Sequence, residues 1–378
     1  MSRNRVIYQS DAVFAAPTGT ATLTAASHSI RRVQSCNYNF SIQRQDINCF
    51  GELNAIDRLI LQEPTVAVDM SYYFEPTGFN EGHLGLKTDG TATGASPATD
   101  HMLVDIITGG APFDQKNIFI LTSNAGIDAN DTGASAMGNI NNVDGVIGIG
   151  NAFLTSWSLD ATVGAIPTVS CAFEGQNIVF TGGTGLTSLD SIPNPSVVDG
   201  ADPATGVSIP SGAGLFDPTN QVSAVRPGDV TLQLGSSGTD NAPSVGLDES
   251  DLKIQSVTAA MTINREPIRK LGKMFAFARE ITFPITCTMS VNAIVGDLAS
   301  KKLFQLINRE GDCNKYDLLL TLNGYVGCET TPHPSHIALK GAKLDSQNIT
   351  SSIGPNKAVT MEFSAQIGRD SGLHFQKG

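Results

Sequence analysis

At 378 residues the chain is too long for one comfortable core, and two domains is its natural division. Charged residues make up only 16% and the net charge is −12, a balance that excludes nucleic-acid binding by phosphate neutralisation. No run of about 18–20 apolar residues exists, so no membrane span is expected, and the opening MSRNRVIYQSDAVFAAP lacks the apolar run of a secretory signal.

Low charge with 38 Gly and abundant Thr, Ser, Asn and Asp points to a mainly β protein with many loops. An acidic surface can also serve as a wall that DNA passes without sticking. The cysteines Cys36, Cys49, Cys171, Cys287, Cys313 and Cys328 show no C-x-x-C pairing and read as thiols kept reduced in a cytoplasm.

In chain order, a strand is expected over Val6 to Ala15 and another over Arg32 to Arg44. Alternation in the second puts Cys36, Tyr38, Phe40 and Ile42 on one face and Asn37, Asn39, Ser41 and Gln43 on the other. Gln45-Asp46 reads as a turn. TVAVDMSYYF from Thr65 is a strand with Val66, Val68, Met70 and Tyr72 on one face. Residues 75–99 are Gly- and Thr-rich with few core formers, and read as an extended hairpin or arm. Thr99 or Asp100 can cap a short helix over His101 to Ile107, ended by Gly109-Gly110. Strands follow at Asn117 to Thr122, Leu154 to Leu159 and Thr168 to Phe173, and a linker or surface excursion at 181–225. Further strands are expected at Asp229 to Leu234, Ile254 to Arg265, Ile281 to Val291, Tyr316 to Leu322, Ala342 to Ile349 and Ala358 to Ile367, with an amphipathic helix over Asp297 to Asn308.

The second half repeats the first. VQSCNYNFSIQRQDINCFGE from Val33 overlays IQSVTAAMTINREPIRKLGK from Ile254 without a gap, pairing Gln34 with Gln255, Ile42 with Ile263, Arg44 with Arg265 and Gly51 with Gly272. Arg58 matches Arg279, Pro64 matches Pro284 after a one-residue slip, and KNIFILTSNAG from Lys116 resembles KYDLLLTLNG from Lys315. The block from Ala152 overlays that from Ala342, again without a gap, with Leu154/Leu344, Ser156/Ser346 and Phe173/Phe363 identical. The offset falls from 221 residues in the first block to 190 in the last, so the first copy carries 31 extra residues. Arg44 and Arg265 recur at equivalent places, where a guanidinium can hold a carboxylate of a neighbouring domain.

Catalytic signatures are not found. Gly182-Gly183-Thr184-Gly185 lacks the Lys-Ser/Thr of a phosphate loop, Asp128 to Gly133 lacks the spacing and distal Glu of a calcium loop, and the six histidines form no H-x-x-x-H. No enzyme, no cofactor and no metal site is expected.

The opening RNRVIYQSDAVFAAP, the strand leading into Arg44-x-x-Ile47 and Phe50-Gly51, PTVAVDMSYYF, and a short helix with a closing hairpin are together similar to the tail-tube proteins of tailed bacteriophages. The resemblance covers 33–177 and 254–368 and rests on pattern. It implies two tandem tail-tube-like β-sandwich or barrel units, each with one flanking short α-helix: 1–180, a linker 181–225, and 226–378. Most such proteins form hexameric rings of single units, whereas a duplicated unit as in some long-tailed siphophages implies trimeric rings with pseudo-sixfold symmetry. The 31-residue excess and the 181–225 segment depart from that pattern.

The implied function is a structural virion protein, the major tail-tube subunit, stacking as rings into a hollow conduit for DNA ejection. The alternatives are a neck or tail-tip ring protein, or a β-sandwich adhesin or carbohydrate-binding module. Implied partners are further copies of the chain and the tape-measure, terminator and tip proteins, with DNA passing the lumen without specific binding. The implied place is the virion tail, assembled in the host bacterial cytoplasm. Candidate inter-subunit contacts are Arg44, Arg265, Gly51, Gly272, Glu81 and His83. Candidate lumen-facing residues are Asn37, Asn39, Ser41, Gln43, Thr258, Thr262 and Asn264.

Overall fold

The computed structural model describes residues 11–92, 100–123, 143–182, 192–197, 206–208, 225–234, 252–295, 315–325, 332–350, 357–368 and 371–377. The protein is mainly β, built from antiparallel strands. The first half contributes β1 (Asp11–Pro17), β2 (Ser29–Ile30), β3 (Val33–Ser41), β4 (Arg44–Ile47), β5 (Asp57–Ile60), β6 (Thr65–Tyr73), β7 (Gln115–Ser123), β8 (Val143–Thr162), β9 (Thr168–Gly175) and β10 (Asn177–Gly182). The second half contributes β11 (Val230–Leu234), β12 (Leu252–Thr262), β13 (Arg265–Ile268), β14 (Ala278–Ile281), β15 (Thr286–Val295), β16 (Tyr316–Gly324), β17 (His333–Thr350), β18 (Ala358–Gln366) and β19 (Gly372–Gln376). Among the described residues of the first half lie four short α-helices: α1 (Ala25–His28), α2 (Phe79–His83), α3 (Val104–Thr108) and α4 (Ala111–Asp114).

The pairing scheme of the first half recurs in the second. β3 pairs β6, β6 pairs β9, and β9 pairs the second part of β8. In the same way β12 pairs β15, β15 pairs β18, and β18 pairs the second part of β17. The first part of β8 holds β7 and β10, as the first part of β17 holds β16 and β19. β1 extends β7 as β11 extends β16. Even the irregularities recur: the register shift between Val33 and Ser35 returns between Ile254 and Ser256, and that between Leu154 and Ser156 returns between Leu344 and Ser346.

These registers refine the sequence overlay. The offsets of 221 and 190 hold in the paired strands, but β7 maps onto β16 with an offset of 200: Lys116 faces Ala152 as Tyr316 faces Ala342. Lys116 therefore corresponds to Tyr316 and not Lys315. The offset of 221 also holds on both sides of the loop before β6, so no slip is needed there and Pro64 corresponds to Ile285.

The core follows from alternation. Val66, Val68, Met70 and Tyr72 of β6 are buried, as are Val169, Cys171 and Phe173 of β9, Trp157 and Leu159 of β8, and Val257, Ala259 and Met261 of β12. Together with Cys287, Met289 and Val291 of β15 and Val359, Met361 and Phe363 of β18 they form one buried cluster that spans both halves. The long strands β8 and β17 each pair one set of neighbours along their first part and another along their second, with the change near a bulge.

Four sequence expectations change. Residues 75–92 are not an extended arm. They carry α2, bury Glu75, Asn80, Glu81, Leu84 and Leu86, and lie on the second half's β19. The Lys377 N–H donates to the Thr88 carbonyl at 2.8 Å, the Met102 N–H donates to the Leu373 carbonyl at 2.8 Å, and Lys340 Nζ donates to the Thr91 carbonyl at 2.8 Å. Gly78 ends this approach with φ 64, and a Cβ there would meet the Phe375 ring at 2.8 Å. The short helix starts at Val104, not His101, and Leu103 at its cap position makes no side-chain bond. Gln45-Asp46 lies within β4, which continues to Ile47. Finally, the described parts of 181–225 are docked on the first half. Ile192 and Val207 enter a second buried cluster with Phe14, Leu23 and Phe119. Asn117 Nδ2 donates to Ser196 Oγ at 2.7 Å, and the Val197 N–H donates to Asn151 Oδ1 at 2.6 Å. The helix expected over Asp297 to Asn308 lies outside the described residues, as do Cys313, Cys328, residues 6–10 of the first expected strand and Thr99.

Candidate assembly surface

The strands β3-β6-β9-β8-β12-β15-β18-β17 form one continuous run, because β8 of the first half pairs directly with β12 of the second, from Ser156↔Thr262 to Thr162↔Ser256. The core face of this run is apolar. Its opposite face carries small polar and acidic side chains. One cross-strand row runs Ser35, Ser71, Ser170, Ser158, Ala260, Thr288 and Ser364, ending beside Lys343. The next runs Thr168, Asp160, Thr258, Ser290, Glu362 and Ser346, and a third runs Asn37, Asp69, Ala172, Ser156 and Thr262. Lys343 is the one cation in these rows, against Asp69, Asp160 and Glu362.

The sequence-predicted residues Asn37, Asn39, Ser41, Thr258 and Thr262 lie on this face. Asn264 is exposed just beyond β12, and Gln43 is exposed in the link to β4, its carbonyl accepting the Leu61 N–H at 3.4 Å.

Two hairpins project from equivalent places. β4–β5 and β13–β14 each turn through a glycine of positive φ, Gly51 at 93° and Gly272 at 82°. That backbone region favours glycine over any side chain with a Cβ, which accounts for the recurrence of these two residues without any contact role. Beside the turns stand Phe50, Leu53 and Leu271, all fully exposed.

The second hairpin is clamped to the first half. Arg265 binds Asp114 through both guanidinium nitrogens, at 2.9 and 2.5 Å. Burial pushes the Asp114 carboxyl upward in pKa while the guanidinium opposes it. Arg279 binds Glu63 at 2.9 Å and also Glu174, and Glu63 accepts the Ala276 N–H at 2.8 Å. Both guanidinium groups lie over the Phe153 ring, at 4.9 and 5.7 Å. The first hairpin is different. Arg44 is exposed on β4, and Arg58 pairs across its own hairpin with Asp46 at 3.0 Å. Arg44 and Arg265 are thus equivalent in position and unlike in environment. The sequence overlay found both arginines. It missed Arg279, Glu63 and Glu174 as a group, because the partners lie more than a hundred residues apart.

Glu81 is buried away from any inter-subunit contact, and His83 is half-buried. Glu81 is fully buried and accepts the Tyr72 O–H at 3.0 Å, and His83 lies edge-on to Phe79 at 4.1 Å with its Nδ1 2.9 Å from the Ser29 carbonyl. Burial pushes the Glu81 carboxyl from 4.5 up to about 7. A carboxyl harder to ionise in the fold than in the open chain stabilises most below pH 4.5, and this is lost as the pH rises to about 7. Burial also pushes His83 and His374 down to about 4, so they act in the opposite direction, removing stability as the pH falls from 6.5 towards 4. The two effects separate in a comparison of wild type with Glu81→Gln. The stability advantage of the variant should grow from pH 4.5 to pH 7 and reach about 3 kcal/mol above that. Parallel stability curves from urea unfolding at each pH would show that Glu81 ionises without penalty.

The continuous run ends in two strand edges. Among the described residues β3 has a bonded neighbour on one side only, and so does the second part of β17. On the core side of β3 and just past its end, Tyr38, Phe40 and Ile42 are 37%, 50% and 40% exposed, although their counterparts Ala259 and Met261 of β12 and Ile263 just past it are buried. At the other edge Ile349 is 43% exposed where its counterpart Leu159 is buried. Unpaired, partly apolar edges of this kind are templates for pairing with another chain.

Among the described residues no group of three or more His, Cys, Asp or Glu is placed to hold a metal ion, and no helix is long and apolar enough to cross a membrane. No family model matches the chain, and a comparison with curated proteins finds no significant match.

Proposed function

We propose that this chain is a structural subunit that closes into rings through its two free strand edges, and that the stacked rings form the tail tube of a bacteriophage virion. The observation that carries the reading is the β8–β12 junction. It joins two units of the same pairing scheme edge to edge within one chain, and among the described residues leaves the same two kinds of edge open at the ends. Head-to-tail pairing of such edges gives a closed ring when the rotation fits, and closure removes the exposed edges.

Three chains of two units would give six similar lobes. The polar, weakly acidic sheet face then serves as the lumen wall. Its Ser, Thr and Asn rows offer no cationic cluster to hold phosphates, so DNA would slide past without sticking. The exposed tips at Phe50, Leu53 and Leu271 would meet the next ring. The tape-measure protein would occupy the same lumen before ejection, and the terminator and tip proteins would cap the tube ends.

Electron microscopy of the purified protein, with averaged end-on views, tests the reading. Rings or tubes with three chains and six lobes are the expected result. Rings of six chains would keep the tube and place one unit outside its wall. A monomer at all concentrations and salt conditions would overturn the proposal in favour of a non-assembling adhesin-like module.

A further inference from the structure

We infer that a second copy of this chain docks its β17 on β3 in one antiparallel register, with Asn37 opposite Thr350, Asn39 opposite Asn348 and Ser41 opposite Ser346. This rests on the ring reading above and adds to it which residues meet.

The register is carried over from the internal junction. β3 and β12 correspond at an offset of 221 residues, fixed by their shared bulge and their pairing with β6 and β15. β8 and β17 correspond at an offset of 190, fixed by their own shared bulge and by β9 and β18. With both frames fixed, the transfer has no adjustable step. The internal pairs Asp160↔Thr258, Ser158↔Ala260 and Ser156↔Thr262 become Thr350↔Asn37, Asn348↔Asn39 and Ser346↔Ser41.

The faces agree with this register. Tyr38 falls opposite Ile349 and Phe40 opposite Gln347, on the side where Ala259, Met261, Leu159 and Trp157 are buried at the internal junction. The exposed apolar area of both edges is thereby covered. A slip by one residue would set Tyr38 and Phe40 on the opposite face from Ile349. On the opposite face Asn39 and Asn348 extend the polar rows without a break.

The two junctions differ in what holds them. The Arg279 clamp uses Glu63, Glu174 and Phe153. The corresponding positions of the second unit hold Pro284, Ser364 and Lys343, and Arg58, the counterpart of Arg279, is engaged with Asp46. The junction between copies therefore rests on backbone pairing and apolar contact, not on that clamp, and moderate salt should not dissolve it.

Engineered cysteines read the register directly. At the internal junction the Ile263 N–H donates to the Thr155 carbonyl at 2.7 Å and the Val163 N–H to the Gln255 carbonyl at 2.9 Å. The alternate positions, including that of Ala260, are then non-hydrogen-bonded pairs, whose Cα atoms stand about 4.5 Å apart, within disulfide range. The test chain carries Asn39→Cys and Asn348→Cys in a Cys49→Ser background, which removes an exposed thiol. Within one chain the two positions lie at opposite ends of the eight-strand run, about 33 Å apart at ordinary strand spacing, so a bond between them must join two copies.

Mild oxidation should convert most of the protein to covalent oligomers that a reductant reverses, while each single variant stays monomeric on a denaturing gel. The control pair Asn39→Cys with Ser346→Cys should cross-link far less. If the control pair cross-links better while micrographs still show rings, the register is wrong and the ring reading stands. If rings form and neither pair cross-links, the β3–β17 contact is wrong. If no rings form and nothing cross-links, both proposals fall together.

Discussion

Replacing Arg279 with alanine is expected to cost about 3–5 kcal/mol of folding stability, the range found when one partner of a buried ion pair is removed. The guanidinium is almost wholly buried, and so is the Glu63 carboxylate it binds at 2.9 Å. Without Arg279, the described hydrogen bonds of Glu63 reduce to the Ala276 N–H, and a buried carboxylate is left without its counter-charge. Glu174 is 40% exposed, so its share of the loss is small. The loss is thus mostly the stranding of Glu63 and not the worth of the pair. Arg279→Met combined with Glu63→Leu removes both charges and should recover most of it. Urea unfolding midpoints of the three proteins decide the matter. A single variant within 1 kcal/mol of wild type would mean that water reaches Glu63 and that the hairpin is not clamped.

The sequence carried more of the fold than of the surface. Alternation in β3, β6, β12 and β15 set the buried face, and the gapless offsets of 221 and 190 hold because each rests on strands where polar and apolar residues alternate. The overlay failed by one residue at β7 and β16. Runs such as NIFIL and DLLLTL are apolar on both faces and give no phase to align. The stretch 75–92 was misread because its buried residues include Glu75, Asn80 and Glu81, which look like loop composition. Asn80 is held by the Arg31 backbone and Glu81 by the Tyr72 O–H, partners that local composition does not announce, and the following residues lie on β19, almost three hundred residues later in the chain. Gly51 and Gly272 were found as a recurring pair, but only the positive φ of each gives the reason. Arg44 and Arg265 show the limit most clearly. Equivalent positions in a repeat predict equivalent backbone, whereas a partner such as Asp114 comes from a different part of the chain and need not recur.

The sharpest separation of fold from assembly comes from one substitution made at two equivalent places. Met261 of β12 and Phe40 of β3 correspond at the offset of 221, and both point to the core side. Met261 is 2% exposed where β8 pairs with its strand, whereas Phe40 is 50% exposed and no strand among the described residues pairs with that edge of β3. Met261→Asp places an unpaired charge inside the cluster that spans both halves and should cost at least about 4 kcal/mol, enough to unfold many domains of ordinary stability. Phe40→Asp alters an exposed site and should move the unfolding midpoint by no more than about 0.5 kcal/mol. Its effect should fall on assembly, because the pairing proposed with β17 would then bury an aspartate opposite Gln347. A folded Phe40→Asp protein that sediments as a monomer, beside a wild type that forms rings, is the expected outcome. Rings of normal size from Phe40→Asp would remove β3 from the interface, since an edge strand cannot bury a charge in a packed seam at no cost.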